Sequence, residues 1–303
     1  MRVLNAPVRP SDSIGDLCVA LAHRWEPERL FVIFTAYFDE ADTHTATPTI
    51  IMAAFLAHAY QWRRFEIRLA RIQEKFGFKI FHAKDFKVPK GEFAGWGEAK
   101  AQALIWELTE LVRDTLTDGM VVALEHARYA SEYRAPPIPK KMSLDSQYGV
   151  CFRSCLSHLL DRMKERGYRD KLNIVMESGH KNVWDCGRIF DGLKKRFDQG
   201  GLPVLGTFTV QGKNDSPPLM VADFLAAFYS MLRAQYPGQS PDAYADRAPE
   251  PGSGEAQLTF LELLPDALRN LKLNFERLRQ MEIDNWRAKR AARLAALQEG
   301  ALP

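Results

Sequence analysis

Apolar and polar positions along this chain alternate between two periods. Residues 31–39 form an apolar run, aromatic and β-branched, that stops abruptly at Asp39 and Glu40. Such a run builds a buried strand, and one that is apolar on both faces belongs at the centre of a sheet covered by helices. Residues 48–58 read as a second buried strand, and the short link Ala41–Thr47 predicts that it pairs antiparallel with the first. Met120–His126, Lys171–Glu177 and Leu202–Val210 are further strand candidates. Between them the period becomes helical. Trp62, Phe65, Leu69, Ile72 and Phe76 mark one face of a helix over 60–76, which Gly77 ends. Further helices are predicted over Glu98–Thr117, closed by Asp118-Gly119, over Asp145–Arg166, over 182–199, and over Ser216–Tyr236, entered through Pro217. Phe78–Phe86 reads as a short extended piece, and 87–97 and 130–144 as Pro-containing loops.

This order predicts an α/β domain with a mixed sheet flanked by helices over residues 31–236. Residues 1–30 read as an N-terminal appendage, with a short helix from Ser13 to Arg24. Residues 237–257, rich in Pro, Gly, Ser, Ala and Asp, read as a flexible linker. Residues 258–303 read as a basic C-terminal helical extension.

Composition narrows the class without naming a function. A chain of 303 residues holds one large domain with additions, or two. A formal net charge of +3 neither demands nor excludes a polyanionic partner, so local charge decides. The four cysteines, Cys18, Cys151, Cys155 and Cys186, include no Cys-x-x-Cys pair and suggest no disulfide framework. Cys151, Cys155 and His158 share one helix face, where a core stripe is favoured over a zinc site. The N-terminus does not read as a signal peptide, and no apolar run approaches the roughly 20 residues that span a bilayer. The expectation is a soluble cytoplasmic protein without a membrane partner.

Three acids are misplaced for purely structural work. Asp39 ends the first strand on the face of Phe31, Ile33, Thr35 and Tyr37, while alternation puts Glu40 on the other face. Asp39 is therefore the first choice for a metal ligand, against the plainer reading of a solvated turn. Glu177 ends the strand Leu172–Met176 and is followed by Ser178-Gly179-His180, which places it at a sheet rim or in a capping turn. Asp223 lies in a helix apolar on every side, so its carboxylate needs a buried partner or a cation. Converging, the three would present an all-oxygen site for a hard ion, Mg²⁺ or Mn²⁺. In phosphoryl transfer, two such ions about 4 Å apart serve the attacking and leaving oxygens.

Around these acids stand weaker candidates, Glu40 among them. His180 either orients a water or phosphate or begins a helix, and His82 and Asp85 join the site or form local turn hydrogen bonds. Lys213, Arg188, Lys194, Lys195 and Arg196 are candidate contacts to a nucleic-acid backbone. From Arg269 to Arg293, eight Lys or Arg stand against three acids. That helix would neutralise phosphates, present a solvated face, or pair with a second chain as a homodimer.

Four segments carry a resemblance. Tyr37-Phe-Asp-Glu40, Phe81-His-Ala-Lys-Asp-Phe86, Glu177-Ser-Gly-His-Lys-Asn182 and Pro218-Leu-Met-Val-Ala-Asp-Phe-Leu-Ala226 resemble the successive motifs of the family catalogued as Domain of Unknown Function 3800. The resemblance spans about residues 31–236 and implies an RNase H-like fold, with Asp39, Glu177 and Asp223 as metal ligands. Members of that family often carry Asp-Glu-Ser after the first strand, whereas this chain has Asp39-Glu40-Ala41 and lacks that hydroxyl. The expected function is a Mg²⁺- or Mn²⁺-dependent nuclease acting on DNA or RNA. A catalytically silent nucleic-acid-binding or protein-interaction module on the same fold is the alternative. A glycosidase acid–base pair is a third reading, disfavoured by the scarcity of aromatic residues near these motifs. The phosphate-cradling Gly-x-x-x-x-Gly-Lys-Ser/Thr sequence is absent.

Overall fold

The computed structural model describes residues 34–41, 47–135, 143–236 and 257–298. The expected helix over Ser13–Arg24 and nearly all of the linker over 237–257 lie outside the described residues.

The two aromatic, β-branched runs become β1 (Phe34–Ala41) and β2 (Thr49–His58), paired antiparallel from Phe34 opposite His58 to Ala41 opposite Ile51. Their side chains are buried almost throughout, as the absence of polar alternation requires. The helices α1 (Ala59–Phe76), α2 (Ala83–Lys87) and α3 (Glu98–Thr115) follow, then β3 (Asp118–Glu125), antiparallel to β2. After α4 (Gln147–Glu165), β4 (Leu172–Glu177) lies parallel to β1. After α5 (Val183–Gln199), β5 (Leu205–Gln211) lies parallel to β4. Then come α6 (Leu219–Gln235), β6 (Gln257–Glu262) and α7 (Pro265–Gln298). The sheet order is β5-β4-β1-β2-β3-β6. This is the expected class, a mixed α/β sheet flanked by helices, with a C-terminal helical extension.

Alternation along β1 sorts the two cores. Tyr37 faces the layer of α1, α3 and α6, where Trp62, Leu108 and Leu225 are buried. Phe34, Ala36 and Phe38 face the layer of α4, α5 and the start of α7, with Phe152, Ile189 and Leu268. Trp62 is fully buried in the first layer, and its indole Nε1 donates to the Thr35 carbonyl at 2.9 Å, so the ring's one polar atom is satisfied.

Three expectations are corrected. Phe78–Phe86 contains no strand; its second half is α2, and the backbone N–H groups of Asp85 and Phe86 donate to the His82 carbonyl. Asp118-Gly119 does not close a helix but opens β3, where a Cβ on Gly119 would stand 2.7 Å from Phe55 Cε1. Residues 258–262 are strand rather than helix: β6 adds to the sheet edge, parallel to β3, with Gln257 opposite Asp118. All six residues of β6 are half-buried, so no alternation marks it as a strand, and only pairing with β3 separates it from the helix that follows.

Toward its end α7 leaves the body of the domain. Leu268 is buried and Phe275 carries the Arg153 guanidinium 4.6 Å above its ring, but from Asp284 to Ala292 every residue is exposed. No helix among the described residues is long and apolar enough to cross a membrane.

Candidate active site

The site lies where β1 and β4 end side by side. These strands are parallel, with Phe38 opposite Met176, so one further step sets Asp39 beside Glu177. Gly179, at φ 113, then turns the chain toward α5. Among the described residues, Asp39, Glu40 and Glu177 form the group able to share an ion, each offering an oxygen within 4.8 Å of the others. Alternation holds for the neighbours of the two β1 acids: Asp39 meets groups from the α6 side, and Glu40 accepts from the Tyr148 hydroxyl of α4 at 2.9 Å. It does not keep the carboxylates apart, since an oxygen of each comes within 4.8 Å of the other and of Glu177.

Asp223 approaches from α6. Pro217 and Pro218 deliver this helix to the sheet, and ten of its residues are buried. One oxygen, Asp223 Oδ2, accepts from the backbone N–H of Ala83 at 3.0 Å and from Lys213 Nζ at 2.8 Å. Lys213 follows β5 in a turn closed by the Asp215 and Ser216 N–H groups on the Gly212 carbonyl. Its ammonium also stands 2.7 Å from Asp39 Oδ2, so it bridges Asp39 and Asp223. Asp39 Oδ2, a buried oxygen, therefore has this ammonium as its partner. The Glu40 backbone N–H donates to the other oxygen, Asp39 Oδ1, at 2.7 Å.

Four carboxyls thus surround one ammonium, and their affinities for protons register the imbalance. Burial, then the charge of Asp223, raises Asp39 well above the usual carboxylate range, with Lys213 opposing. Burial lifts Glu40 to about 7, against the lowering hydrogen bond from Tyr148. Burial also raises Glu177, with Lys213 opposing. Burial alone would lower Lys213, but Asp39 and Asp223 raise it, so it stays an ammonium ion. A buried surplus of negative charge is relieved by protons or by a cation. An all-oxygen donor set carrying more buried carboxylates than its one ammonium can offset fits a hard divalent ion such as Mg²⁺ or Mn²⁺.

The other predicted residues fall at different distances from this chemistry. His180 stacks on Tyr148, rings 3.9 Å apart and 10° from parallel. Its Nδ1 accepts from the Asn182 N–H at 3.2 Å, which puts its ring proton on Nε2. Burial, then Lys181, lowers its pKa, so it is neutral at pH 7. The His82 segment reaches the site through the backbone of Ala83, while Asp85 pairs with Lys90 at 3.2 Å. Among the proposed phosphate contacts, Lys213 is 7 % exposed and enclosed by Asp39 and Asp223. Arg188 is committed to Asp145 and Asp185, and Lys194 Nζ donates to the Leu205 carbonyl at 2.6 Å. Lys195 and Arg196 face solvent.

Sequence reasoning missed Tyr148 and the bridging role of Lys213. A buried phenol needs a partner, but its partner Glu40 lies 108 residues away.

No protein-family model matches the chain, and no curated protein does. Solved structures with a similar chain path include Bst-RNase HIII in complex with Mn²⁺, at a TM-score of 0.36 and 14% identity over 69% of this chain and 56% of that one. The ribonuclease H2 from Pyrococcus horikoshii OT3 is another, at a TM-score of 0.36 and 13% identity over 80% of this chain and 99% of that one. The chain spans little more than half the length of the first, and likeness at this level transfers no residue role.

Proposed function

We propose that this protein is a divalent-metal-dependent nuclease, hydrolysing phosphodiester bonds of DNA or RNA in the cytoplasm. The observation that carries the reading is the cluster of Asp39, Glu40 and Glu177 oxygens, mutually within 4.8 Å at the rim of a buried sheet. The resemblance of four motifs to the Domain of Unknown Function 3800 family supports it.

Asp39, Glu40 and Glu177 would hold Mg²⁺ or Mn²⁺. When bound, such an ion makes a water more acidic and polarises a phosphate oxygen. The chain's own residues supply the rest. The Tyr148 hydroxyl fixes Glu40 Oε2, and the Glu40 N–H fixes Asp39 Oδ1, so two of the three carboxylates are oriented before substrate arrives. In hydrolysis the water gives up a proton as its oxygen bonds to phosphorus, the bond from phosphorus to the departing ester oxygen breaks, and that oxygen takes up a proton. His180, with its proton on Nε2 and held flat against Tyr148, would hydrogen-bond a phosphate or the departing oxygen. The exposed Lys195 and Arg196 and the exposed end of α7 would offer positive charge to the backbone of a bound strand.

The test is cleavage of labelled single- and double-stranded DNA and RNA with Mg²⁺, Mn²⁺ or EDTA, for the wild type and Glu177→Gln. Cutting that requires metal and is lost in the variant is the expected result. Cutting that persists in EDTA or survives Glu177→Gln would refute the site. A folded wild type that neither cuts nor binds Mn²⁺ would favour the silent binding module.

A further inference from the structure

Lys213 is built into the acidic site rather than beside it. Its ammonium lies 2.7 Å from Asp39 Oδ2 and 2.8 Å from Asp223 Oδ2, and only 7 % of the residue is exposed. The turn at Gly212–Ser216 and the Ala83 N–H on Asp223 Oδ2 hold both ends of this bridge. Asp39 is therefore shared: with Glu40 and Glu177 it forms one cation position, and with Asp223 it forms a second. A site for two divalent ions needs both positions open. Here the second already contains a positive charge within 3 Å of both carboxylates.

We propose that the side chain of Lys213 permanently takes the place of a second metal ion, so that the site binds one divalent cation. This rests on the reading of Asp39, Glu40 and Glu177 as metal ligands. The physical reason is electrostatic and steric. A divalent ion entering between Asp39 and Asp223 would meet the ammonium at van der Waals range, and expelling that ammonium would strip a buried charge of its two partners. The ammonium also offsets one negative charge of the four carboxyls, so a single divalent ion brings the cluster close to neutrality.

Mn²⁺ binding by calorimetry, with bound-ion counting by electron paramagnetic resonance, decides the matter independently of activity. The full-length wild type is expected to bind one Mn²⁺ per chain. Lys213→Ala, which removes both the charge and the bulk, is expected to bind two. Lys213→Ser, with the same expectation, carries the test if Lys213→Ala does not fold. Two ions in the wild type would overturn the role of Lys213 while leaving the metal reading intact. One ion in both the wild type and the folded Lys213 variant would also overturn it. No Mn²⁺ bound by folded wild type would sink the metal reading and this inference together.

Discussion

Replacing Glu40 by Gln is expected to stabilise the metal-free protein at neutral pH while removing its function. Burial lifts this carboxyl from its ordinary 4.5 to about 7. The difference of about 2.5 pH units, at 1.36 kcal/mol each, corresponds to about 3 kcal/mol. The sign follows from proton counting. Between pH 4.5 and 7 the native state binds more protons at Glu40 than the unfolded chain does, so stability falls as pH rises through that window and levels off above it. Asp39 and Glu177, also raised, act in the same direction. Gln resembles the protonated acid and can still accept from the Tyr148 hydroxyl. In EDTA at pH 8, Glu40→Gln should therefore exceed the wild type by about 3 kcal/mol, and at pH 4.5 the two should nearly coincide. Urea unfolding measures this directly, because the change is large beside a typical total of ~5–15 kcal/mol. Mn²⁺ at about a thousand times its Kd should reverse the order, since it adds about 4.1 kcal/mol to the protein that binds it. A variant no more stable than wild type at pH 8 in EDTA would refute the reasoning. So would a stability difference between the two that stays constant from pH 4.5 to pH 8.

Tyr148→Phe removes the donor to Glu40 Oε2. It should weaken Mn²⁺ affinity or cleavage by about 10–100-fold, read by calorimetry and initial rates. Gly149→Ala would drive a Cβ into Asp185 Oδ2, which accepts from the Ser146 hydroxyl and backbone N–H at 2.6 and 2.7 Å. A destabilisation of about 1–3 kcal/mol is expected in thermal unfolding, with unchanged Mn²⁺ stoichiometry. Reversing the charge of Arg287, Lys289 and Arg290, all exposed on α7, should weaken nucleic-acid binding in fluorescence anisotropy. For a duplex the salt dependence should flatten by about 0.9 for each phosphate these side chains no longer neutralise, and an unchanged slope would remove α7 from the interface.

The strand-to-helix order was legible in the sequence because burial on both faces leaves β1, β2, β3 and β4 as unbroken apolar runs, while the helices keep a 3.6-residue stripe. The same contrast exposed Asp39, Glu177 and Asp223, since a carboxylate stands out where everything around it is apolar. Pattern could not distinguish β6 from the start of a helix, because an edge strand is defined by the partner it pairs with. Nor could it place Glu40 with Asp39, because alternation assigns each side chain a face and not the reach of its carboxylate, and the two come within 4.8 Å. Lys213 read as a surface cation for a phosphate, and Tyr148 carried no signal at all. Their work lies in pairings with residues distant in sequence, 174 positions for Lys213 to Asp39 and 108 for Tyr148 to Glu40. Local chemistry determines which groups need partners. Only the folded sheet and the helices packed on it, by fixing distances of a few ångströms, decide which partners they have.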